Sequence, residues 1–232
     1  MPDPHDHGDD HDHDHDHDHD HGREHTPRSF QPDLEDQPQS DYQFLEVAVR
    51  ELLIEKGVIT PEGVRKAIEA MDARGTHLGA AMVARAWVDP AYKRRLLADG
   101  SAAARELGIE VGPMHLLVVE NTPKTHNMIV CTLCSCYPRM ILGVPPLWYK
   151  SREYRSRAVR EPRAVLDEFG TVLPEGVEVK VHDSTADMRY LVLPMRPAGS
   201  EGLSEAELAA LVTRDSMIGV ALPEAPRQAA AE

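Results

Sequence analysis

The chain has 232 residues, a formal net charge of −14 and 41% hydrophobic residues. This length allows one domain with a substantial hydrophobic core, and the negative charge argues against a general nucleic-acid-binding protein. No apolar run approaches the ~20 residues of a membrane helix, and the N-terminus lacks the basic and then apolar pattern of a secretory signal. We therefore expect a cytoplasmic protein that binds neither nucleic acid nor a membrane.

Residues 1–25 carry much of the charge, because they contain nine His, nine Asp, Glu24 and Arg23. His and Asp alternate strictly from His11 to His21, so this segment has no apolar side chain to bury and is predicted to be disordered. Two interpretations remain open: a loose chelator that gathers divalent metal ions, or a solubilising tail. A linker rich in Pro, Gln, Asp and Ser follows, and we predict that tail and linker together span residues 1–41.

Residues 42–110 have the apolar spacing of successive helices, which we interpret as an N-terminal helical arm. Gly57 suits the end of the first helix, and Thr60 followed by Pro61 suits the N-cap and first turn of the second. Helices are predicted from Phe44 to Leu53, from Pro61 toward Arg74, over 79–87 and over 90–99. Their apolar stripes fit a simple core face, part of which is also available to a partner.

After a turn at Val111-Gly112-Pro113 the pattern changes to short apolar strands and helices. The predicted strands are His115–Glu120, Asn127–Val130, Val177–His182 and Met188–Leu193, and the predicted helices are Arg152–Arg160, Pro162–Phe169 and Ser204–Leu211. Ser204 and Glu207 have the spacing of a capping box. This mixture predicts a layered α+β domain over residues 111–223, followed by a flexible C-terminus at 224–232.

The three cysteines of the chain lie together in the hexapeptide Cys131-Thr132-Leu133-Cys134-Ser135-Cys136. Disulfide bonds are a poor explanation, because the number is odd and neighbours this close do not satisfy the spacing of relaxed bridges. Core packing is also a poor explanation, since cysteines at different phases of the chain cannot share one buried face. The cluster therefore indicates a metal site.

Two kinds of metal site are compatible with this hexapeptide. A structural zinc site needs four protein ligands in a tetrahedron, so His126 or a residue distant in sequence would supply the fourth. Alternatively, the loop wraps the ion so tightly that the main-chain nitrogens of Ser135 and Cys136 join the three sulfurs. Such a site leaves one position open, which suits catalysis, whereas a closed tetrahedron suits a structural role.

The sequence around the cysteines resembles a known family. The stretch VCTLCSC at 130–136, followed by Tyr137-Pro138, is similar to the metal-binding alpha subunit of cobalt-type nitrile hydratase, a family that includes the gamma subunit of thiocyanate hydrolase. The resemblance covers about residues 42–223 and continues through LGVPP at 142–146, WYKS at 148–151, YRSR at 154–157, PR at 162–163, DS at 183–184, RY at 189–190, RPAG at 196–199 and TRDSMIG at 213–219.

The resemblance implies an α/β/β/α layered domain with a helical N-terminal arm. It also implies one Co(III) ion per chain rather than iron, because Thr132 stands where iron enzymes of the family have Ser. Cys131 would be the axial thiolate, Cys134 would be oxidised to sulfinate and Cys136 to sulfenate. The amide nitrogens of Ser135 and Cys136 would complete the ligand set, so that Cys134, Ser135 and Cys136 form the catalytic part of the site.

The same resemblance implies partner proteins. A beta-type subunit would supply two arginines to the oxidised sulfurs through charge-assisted hydrogen bonds, and those arginines are not in this chain. A metallochaperone or activator would load the metal, and the substrate would be a small nitrile or thiocyanate. A dense basic run is interpreted separately as a helix surface that faces an acidic partner; it contains Arg152, Arg155, Arg157, Arg160 and Arg163.

Five further residues match functional positions of the family. Asp183, Asp187 and Arg189 match polar residues that hold the ligands and water in place, although the family more often has Glu where this chain has Asp187. A solvated turn and strand is the alternative for these three. Arg139 and Trp148 are assigned to the substrate pocket, and packing of the loop is the alternative for Trp148 and for its neighbour Tyr149.

Arg139 bears on the choice of substrate. Nitrile hydratases usually have Trp at this position and thiocyanate hydrolase has Arg, and a guanidinium suits an anion better than it suits a nitrile. Residues 118–123, 143–146 and 215–219 look more like cobalt nitrile hydratase, so hydration of nitriles to amides is the favoured hypothesis. The alternative is conversion of thiocyanate to carbonyl sulfide and ammonia. In both reactions the nucleophile is either water or the oxygen on Cys136.

A noncatalytic metal protein is a competing hypothesis from another class. In it the His/Asp tail and the cysteines cooperate in the delivery of cobalt or zinc, which predicts exchangeable metal and unmodified thiols. The enzyme hypothesis instead predicts a tightly held cobalt ion and added oxygen atoms on the cysteines.

Overall fold

The computed structural model describes residues 41–134 and 136–226. Within these ranges helices and short strands are mixed along the chain, so the predicted α+β class is confirmed. The predicted disordered tail up to residue 40, Ser135, and residues 227–232 of the predicted flexible C-terminus lie outside the described residues.

The described helices differ widely in length. In chain order they are α1 (Asp41–Glu55), α2 (Pro61–Asp72), α3 (Thr76–Val88), α4 (Pro90–Ala98), α5 (Gly100–Glu106), α6 (Arg139–Leu142), α7 (Leu147–Lys150), α8 (Arg152–Arg160), α9 (Pro162–Glu168), α10 (Glu205–Ala210) and α11 (Arg214–Ile218). The strands are β1 (His115–Glu120), β2 (Thr125–Val130), β3 (Glu178–Asp183) and β4 (Met188–Leu193). Each helix and strand predicted from the sequence is present within a few residues of its predicted bounds, whereas α5, α6, α7 and α11 were not predicted.

The described strands form two parallel pairs. β1 pairs with β4 along its whole length. β2 pairs with β3 so that Thr125 lies opposite Glu178 and Val130 lies opposite Asp183. Because this second pair is parallel, β2 and β3 end side by side, and the segments that follow them begin at the same edge. The cysteines follow β2 at this edge.

The hydrophobic core joins the strands to helices that precede them in the sequence. Met82 of α3, Tyr92 of α4 and Ala103 of α5 are at most 2% exposed and belong to the same core as Ile129 of β2 and Leu191 of β4. Full burial of a large apolar side chain stabilises a fold by roughly 1.5–3 kcal/mol. Helices α3 to α5 therefore support the strands that position the cysteines. A domain boundary at residue 110 stays a prediction.

Helix α1 belongs to a unit that ends at Val58, whereas the chain from Ile59 onward forms a second unit. Several apolar side chains of α1 are exposed, among them Phe44 at 59% and Leu52 at 48%. Among the described residues, no helix combines the length and the apolar character that crossing a membrane requires.

Side-chain caps explain where several helices begin. The Thr60 hydroxyl accepts a hydrogen bond from the Gly63 amide at 3.0 Å, and the Asp89 carboxylate accepts bonds from the first amides of α4. Ser204 and Glu207 form the predicted capping box at the start of α10. Each such cap contributes about 1 kcal/mol of stability. These starts could be predicted because the capping residues are adjacent in sequence to the helices.

The helices that were not predicted are short. α6 and α7 have four residues each, which is too few to show a helical period. The end of α11 is determined by tertiary contacts instead. Gly219 ends the helix with φ of 88°, and a Cβ added at this position would overlap the carbonyl oxygen of Asn127. Only glycine fits this close approach between α11 and β2.

Candidate metal centre

The cysteine loop, residues 131–136, begins directly after β2. The Sγ atoms of the three cysteines lie within 4.8 Å of one another. Cys134 Sγ is 3.8 Å from Cys131 Sγ and 3.2 Å from Cys136 Sγ, which is too far for a disulfide bond. Cys131 is buried, Cys136 is half-buried and Cys134 is exposed. The cluster therefore opens toward the surface at Cys134.

Backbone amides of the loop stabilise negative charge on Cys131. The Cys134 amide donates a hydrogen bond to Cys131 Sγ at 3.3 Å. Burial raises the pKa of the Cys131 thiol, but the amides of Cys134, Cys136 and Leu133 favour the thiolate and bring the pKa down to about 7. Cys131 is thus poised to bind a metal as thiolate.

Cys136 has the opposite tendency. Burial and its contact with the Cys134 side chain raise the pKa of the Cys136 thiol to about 12, while the positive charge of Arg189 acts to lower it. Arg189, one of the residues predicted near the ligands, therefore acts electrostatically on this thiol. A metal ion held by these sulfurs would deprotonate Cys136, because a coordinating thiol loses its proton.

Asp183 fixes the first turn of the cysteine loop. It is the last residue of β3 and lies opposite Val130, so its carboxylate reaches the loop just beyond Cys131. The Thr132 amide donates to Asp183 Oδ1 at 2.9 Å and the Thr132 hydroxyl donates to Oδ2 at 2.5 Å. Asp187, by contrast, is exposed between β3 and β4, and its carboxylate has no hydrogen-bond partner within residues 41–134 and 136–226.

Two further side chains hold the loop backbone. The buried Tyr149 donates from its hydroxyl to the Cys136 carbonyl at 2.8 Å, and Arg155 donates to the Leu133 carbonyl at 3.0 Å. Both residues lie in stretches that resemble the nitrile hydratase family. The sequence indicated packing of the loop for Tyr149 and a partner-facing surface for Arg155, but it did not predict these hydrogen bonds.

The two residues predicted to line the substrate pocket have different surroundings. Trp148 packs edge-on against Tyr154 and Phe169, with ring centroids 4.9 and 4.7 Å away. This environment fits the packing alternative that the sequence also offered. Arg139 is exposed at the start of α6, and it lies three residues after Cys136. Its exposed guanidinium is therefore free to meet a substrate, and only three positions of the chain separate it from the cysteine loop.

His126 does not serve as a fourth ligand. Its Nε2–H donates to the Gly219 carbonyl at 2.7 Å, and its Nδ1 lies 3.3 Å from the Asn121 amide nitrogen, so both ring nitrogens have partners in the core. No His, Asp or Glu of the described ranges joins the three cysteines in a possible metal-binding group. A thiolate set with an exposed side fits an open transition-metal site such as one for cobalt better than a closed tetrahedron.

The family model described as "Nitrile hydratase, alpha chain" matches residues 40–221, which include all four strands and the cysteine loop. The chain belongs to this family. The sequence resemblance to nitrile hydratase alpha subunits is thereby confirmed.

Individual members of the nitrile hydratase family agree with this assignment. The low-molecular weight cobalt-containing nitrile hydratase subunit alpha of Rhodococcus rhodochrous is 51% identical over 186 residues, which cover 78% of this chain and 89% of the relative. Thiocyanate hydrolase subunit gamma of Thiobacillus thioparus is 45% identical over 197 residues, with 80% and 81% covered.

A solved structure supports the fold. A recombinant thiocyanate hydrolase comprising partially-modified cobalt centers superposes with a TM-score of 0.76 at 42% identity, covering 84% of this chain and 98% of that one. The predicted nitrile hydratase alpha fold is confirmed by this likeness.

Proposed function

We propose that this chain is the metal-binding catalytic subunit of a cobalt nitrile hydratase, a lyase that adds water to nitriles and forms amides. The observation that carries the proposal is the cluster of three Sγ atoms within 4.8 Å in a loop that opens at an exposed cysteine. The 51% identity of the chain to an alpha subunit of a cobalt-containing nitrile hydratase supports the choice of metal and reaction.

One cobalt ion would be held by the sulfurs of Cys131, Cys134 and Cys136, with the amide nitrogens of Ser135 and Cys136 as further ligands. The donor set supports this assignment, because soft thiolates select transition metals and the three sulfurs lie within 4.8 Å of one another. When bound, Co(III) supplies a Lewis acid that polarises a C≡N group. Oxidation of Cys134 to sulfinate and of Cys136 to sulfenate is part of the proposal.

The residues around the cysteines have positioning tasks. Asp183 fixes Thr132 after the first ligand, and Tyr149 fixes the carbonyl of Cys136 at the last ligand, so both ends of the loop are held. Preorganised ligands keep a site in its productive geometry without a reorganisation cost during turnover. Arg189 would stabilise negative charge that develops on the sulfur or oxygen of Cys136.

A beta-type partner subunit would complete the active site. Cys134 is exposed, so an oxidised sulfur there would stand in water unless a second chain covered it. Arginines of the partner would bind the sulfur oxygens through charge-assisted hydrogen bonds. An activator would load the metal, and the cytoplasm is the proposed location because the described cysteines form no disulfide bond.

Coexpression of the chain with its partner subunit and cobalt tests the function. We expect a tightly bound cobalt ion, turnover of a small nitrile to its amide, and added mass equal to one and two oxygen atoms on the peptide that contains the cysteines. Metal analysis, product chromatography and peptide mass spectrometry measure these quantities. Exchangeable metal together with reduced cysteines would instead support the noncatalytic metal-delivery hypothesis.

Thiocyanate hydrolysis is the second candidate, and one residue favours it. Arg139 is an exposed cation three residues beyond Cys136, and an anionic substrate suits it better than a neutral nitrile does. The 45% identity to a thiocyanate hydrolase subunit gamma supports the same alternative. The ratio of kcat/KM for a small nitrile to that for thiocyanate, measured on the same complex, decides between the two candidates.

A further inference from the structure

One face of helix α8 forms a cleft with the cysteine loop. Its residues recur at intervals of three and four, which places them on the same side of the helix. The cleft, of about 570 Å³, is lined by Thr132, Leu133, Arg152, Arg155, Ser156, Val159 and Arg160. We call it the α8 cleft. The helix buries Tyr154 and Ala158 in the core, so the cleft lies on a face that the core does not use.

The α8 cleft has positive charge that the described part of the chain does not neutralise. Within residues 41–134 and 136–226, no carboxylate forms an ion pair with Arg152, Arg155 or Arg160. Arg157 on the same helix differs, because it is bound by Glu161 at 2.7 Å and by Glu168 at 2.6 Å. One arginine of α8 is therefore neutralised by carboxylates that follow it in the chain, whereas the three arginines that line the cleft are not.

The α8 cleft also has exposed apolar surface. Leu133, at the tip of the cysteine loop, is 86% exposed, and Val159 is 47% exposed. Leu133 is held in this position, because its carbonyl accepts a hydrogen bond from Arg155. A fixed apolar side chain among unneutralised guanidinium groups is typical of a protein interface, where arginine and apolar anchors are enriched.

The length of the cationic row argues for a macromolecular occupant. Arg152 and Arg160 are eight residues apart, which corresponds to roughly 12 Å along a helix at about 1.5 Å per residue. A triatomic or tetrahedral anion is too small to bind both, and it has no use for Leu133 and Val159. A nucleic-acid backbone would match the arginines but has no large apolar side chain to pack against Leu133 and Val159. An acidic protein segment satisfies both the charge and the apolar surface.

We propose that the partner subunit that covers the cysteine loop docks an acidic segment, with at least one large apolar side chain, into the α8 cleft. This inference rests on the proposed function, since it takes the partner from there. The cleft is continuous with the cysteine loop through Thr132 and Leu133. The same docking event would therefore close the loop's exposed side and neutralise the arginines.

Charge reversal tests the docking surface. The double variant Arg152→Glu/Arg160→Glu should bind the partner subunit at least tenfold more weakly than wild type and with a weaker dependence on salt. Arg94→Glu/Arg105→Glu is the matched control, since both are exposed helical arginines outside the cleft and the change in net charge is the same. Binding is measured by interferometry on the full-length chains over a series of salt concentrations. Equal affinity for wild type and the double variant would overturn the proposal, provided that thermal unfolding shows both to be folded.

Replacement by lysine identifies the occupant. Arg152→Lys keeps the charge and should keep most of the affinity, and its amine can be joined to a nearby carboxylate by a carbodiimide, which takes up the water lost as the amide bond forms. We expect cross-links to Asp or Glu of the partner subunit from Arg152→Lys and none from Arg94→Lys. The same pattern of cross-links from both variants, or none from either, would contradict docking of an acidic segment.

The function and the docking surface can fail separately. Inorganic phosphate and sodium thiocyanate are titrated against the chain without its partner to measure the binding of small anions. Saturable binding that is lost in the double variant would show that the α8 cleft binds an anion rather than a protein segment, and it would overturn the proposal. A wild-type complex without nitrile or thiocyanate turnover, but with the expected tenfold difference in association, would refute the function and retain the surface. Full turnover with equal association would refute the surface alone.

Discussion

Strand β2 carries a polar cluster at each end, and the two clusters are built differently. At its start, His126 and Asn127 are at most 4% exposed, and their side chains donate to the carbonyl oxygens of Gly219 and Glu120 at 2.7 and 2.8 Å. At its other end, the sulfurs of the cysteine loop gather within 4.8 Å, and Cys134 is exposed. One cluster is closed inside the core, and the other is open to the surface.

The buried cluster at the start of β2 contributes to stability, whereas the cysteines after its end serve function. Buried polar groups that find all their partners inside a chain fix its packing and have nothing left to offer a ligand. Sulfurs that converge at the surface have capacity for a metal and for a covering protein. We therefore expect changes at the start of β2 to alter the free energy of unfolding, and changes after its end to alter metal content and turnover.

The largest effect is expected for Cys136→Ser. A hydroxyl is a poorer ligand than a thiolate for a transition metal, so the variant complex should lose its cobalt and hydrate nitriles roughly a thousandfold more slowly or not at all. Cobalt per chain is measured by mass spectrometry of the metal, and stability by thermal unfolding. Stoichiometric cobalt with wild-type turnover would contradict the assignment of this ligand.

Asp183→Asn should have an intermediate effect. It keeps an acceptor for the Thr132 amide but removes the carboxylate charge and the second oxygen, so the loop is held less firmly. A loss of about 10–100-fold in cobalt affinity or turnover is expected for an outer partner of a metal ligand. Asp167→Asn, on an exposed residue of α9, is the control. Similar losses in both variants would argue against a specific role for Asp183.

His126→Ala should break the closed cluster. The change leaves the Gly219 carbonyl and the Asn121 amide without their partner, and we expect a loss of about 3 kcal/mol in the free energy of unfolding. Turnover per cobalt-loaded complex should be unchanged. Urea denaturation measures the first quantity. His115→Ala is the control, because His115 is exposed at the start of β1 and its removal should cost less than ~0.5 kcal/mol.

Arg139→Trp should change substrate preference more than total activity. Because the guanidinium favours an anion, the ratio of kcat/KM for a nitrile to that for thiocyanate should be at least about threefold higher in the variant than in wild type. The ratio of kcat/KM for the two substrates is the measurement, with Arg94→Trp as the control for the same chemical change elsewhere. An unchanged ratio would remove Arg139 from the substrate pocket.

The smallest effect concerns pH. Burial lowers the pKa of His126 and of His182 below the ordinary histidine value, so the folded state keeps both neutral while the unfolded state binds protons first. Their contribution to stability is present above the unfolded pKa of about 6.5 and is lost as pH falls through the folded values. The melting temperature should fall between pH 7 and 5, and His126→Ala should show a shallower decrease. A steeper decrease in the variant would contradict this origin.

The sequence predicted features that depend on neighbours in the chain. β1 and β4 were predicted to the residue, because short apolar runs bounded by turns mark them clearly. The pairing of β2 with β3 was not predicted, and the bonds from Thr132 to Asp183 follow from that pairing. The hydrogen bond from Tyr149 to the Cys136 carbonyl was not predicted for the same reason, because no local pattern records this contact.

The resemblance to a family gave a more specific prediction of the metal centre than residue patterns did. From the spacing of the cysteines alone, a closed zinc site with His126 remained possible. Neighbouring residues could not exclude His126 as a ligand, because one of its hydrogen-bond partners is Gly219, which is 93 positions away in the chain. Contacts over such distances are set by the tertiary fold.

The parallel pairing of β2 with β3 also fixes an order of events during synthesis. Thr132 and Asp183 are 51 positions apart, so at roughly 5–20 residues per second the cysteine loop leaves the ribosome about 3–10 s before Asp183, the partner of Thr132, does. In that interval the cysteine loop lacks the Asp183 carboxylate that holds Thr132 in place. Correct insertion of the metal must therefore follow emergence of β3, and a nascent chain arrested before it would present the same thiols to any soft metal.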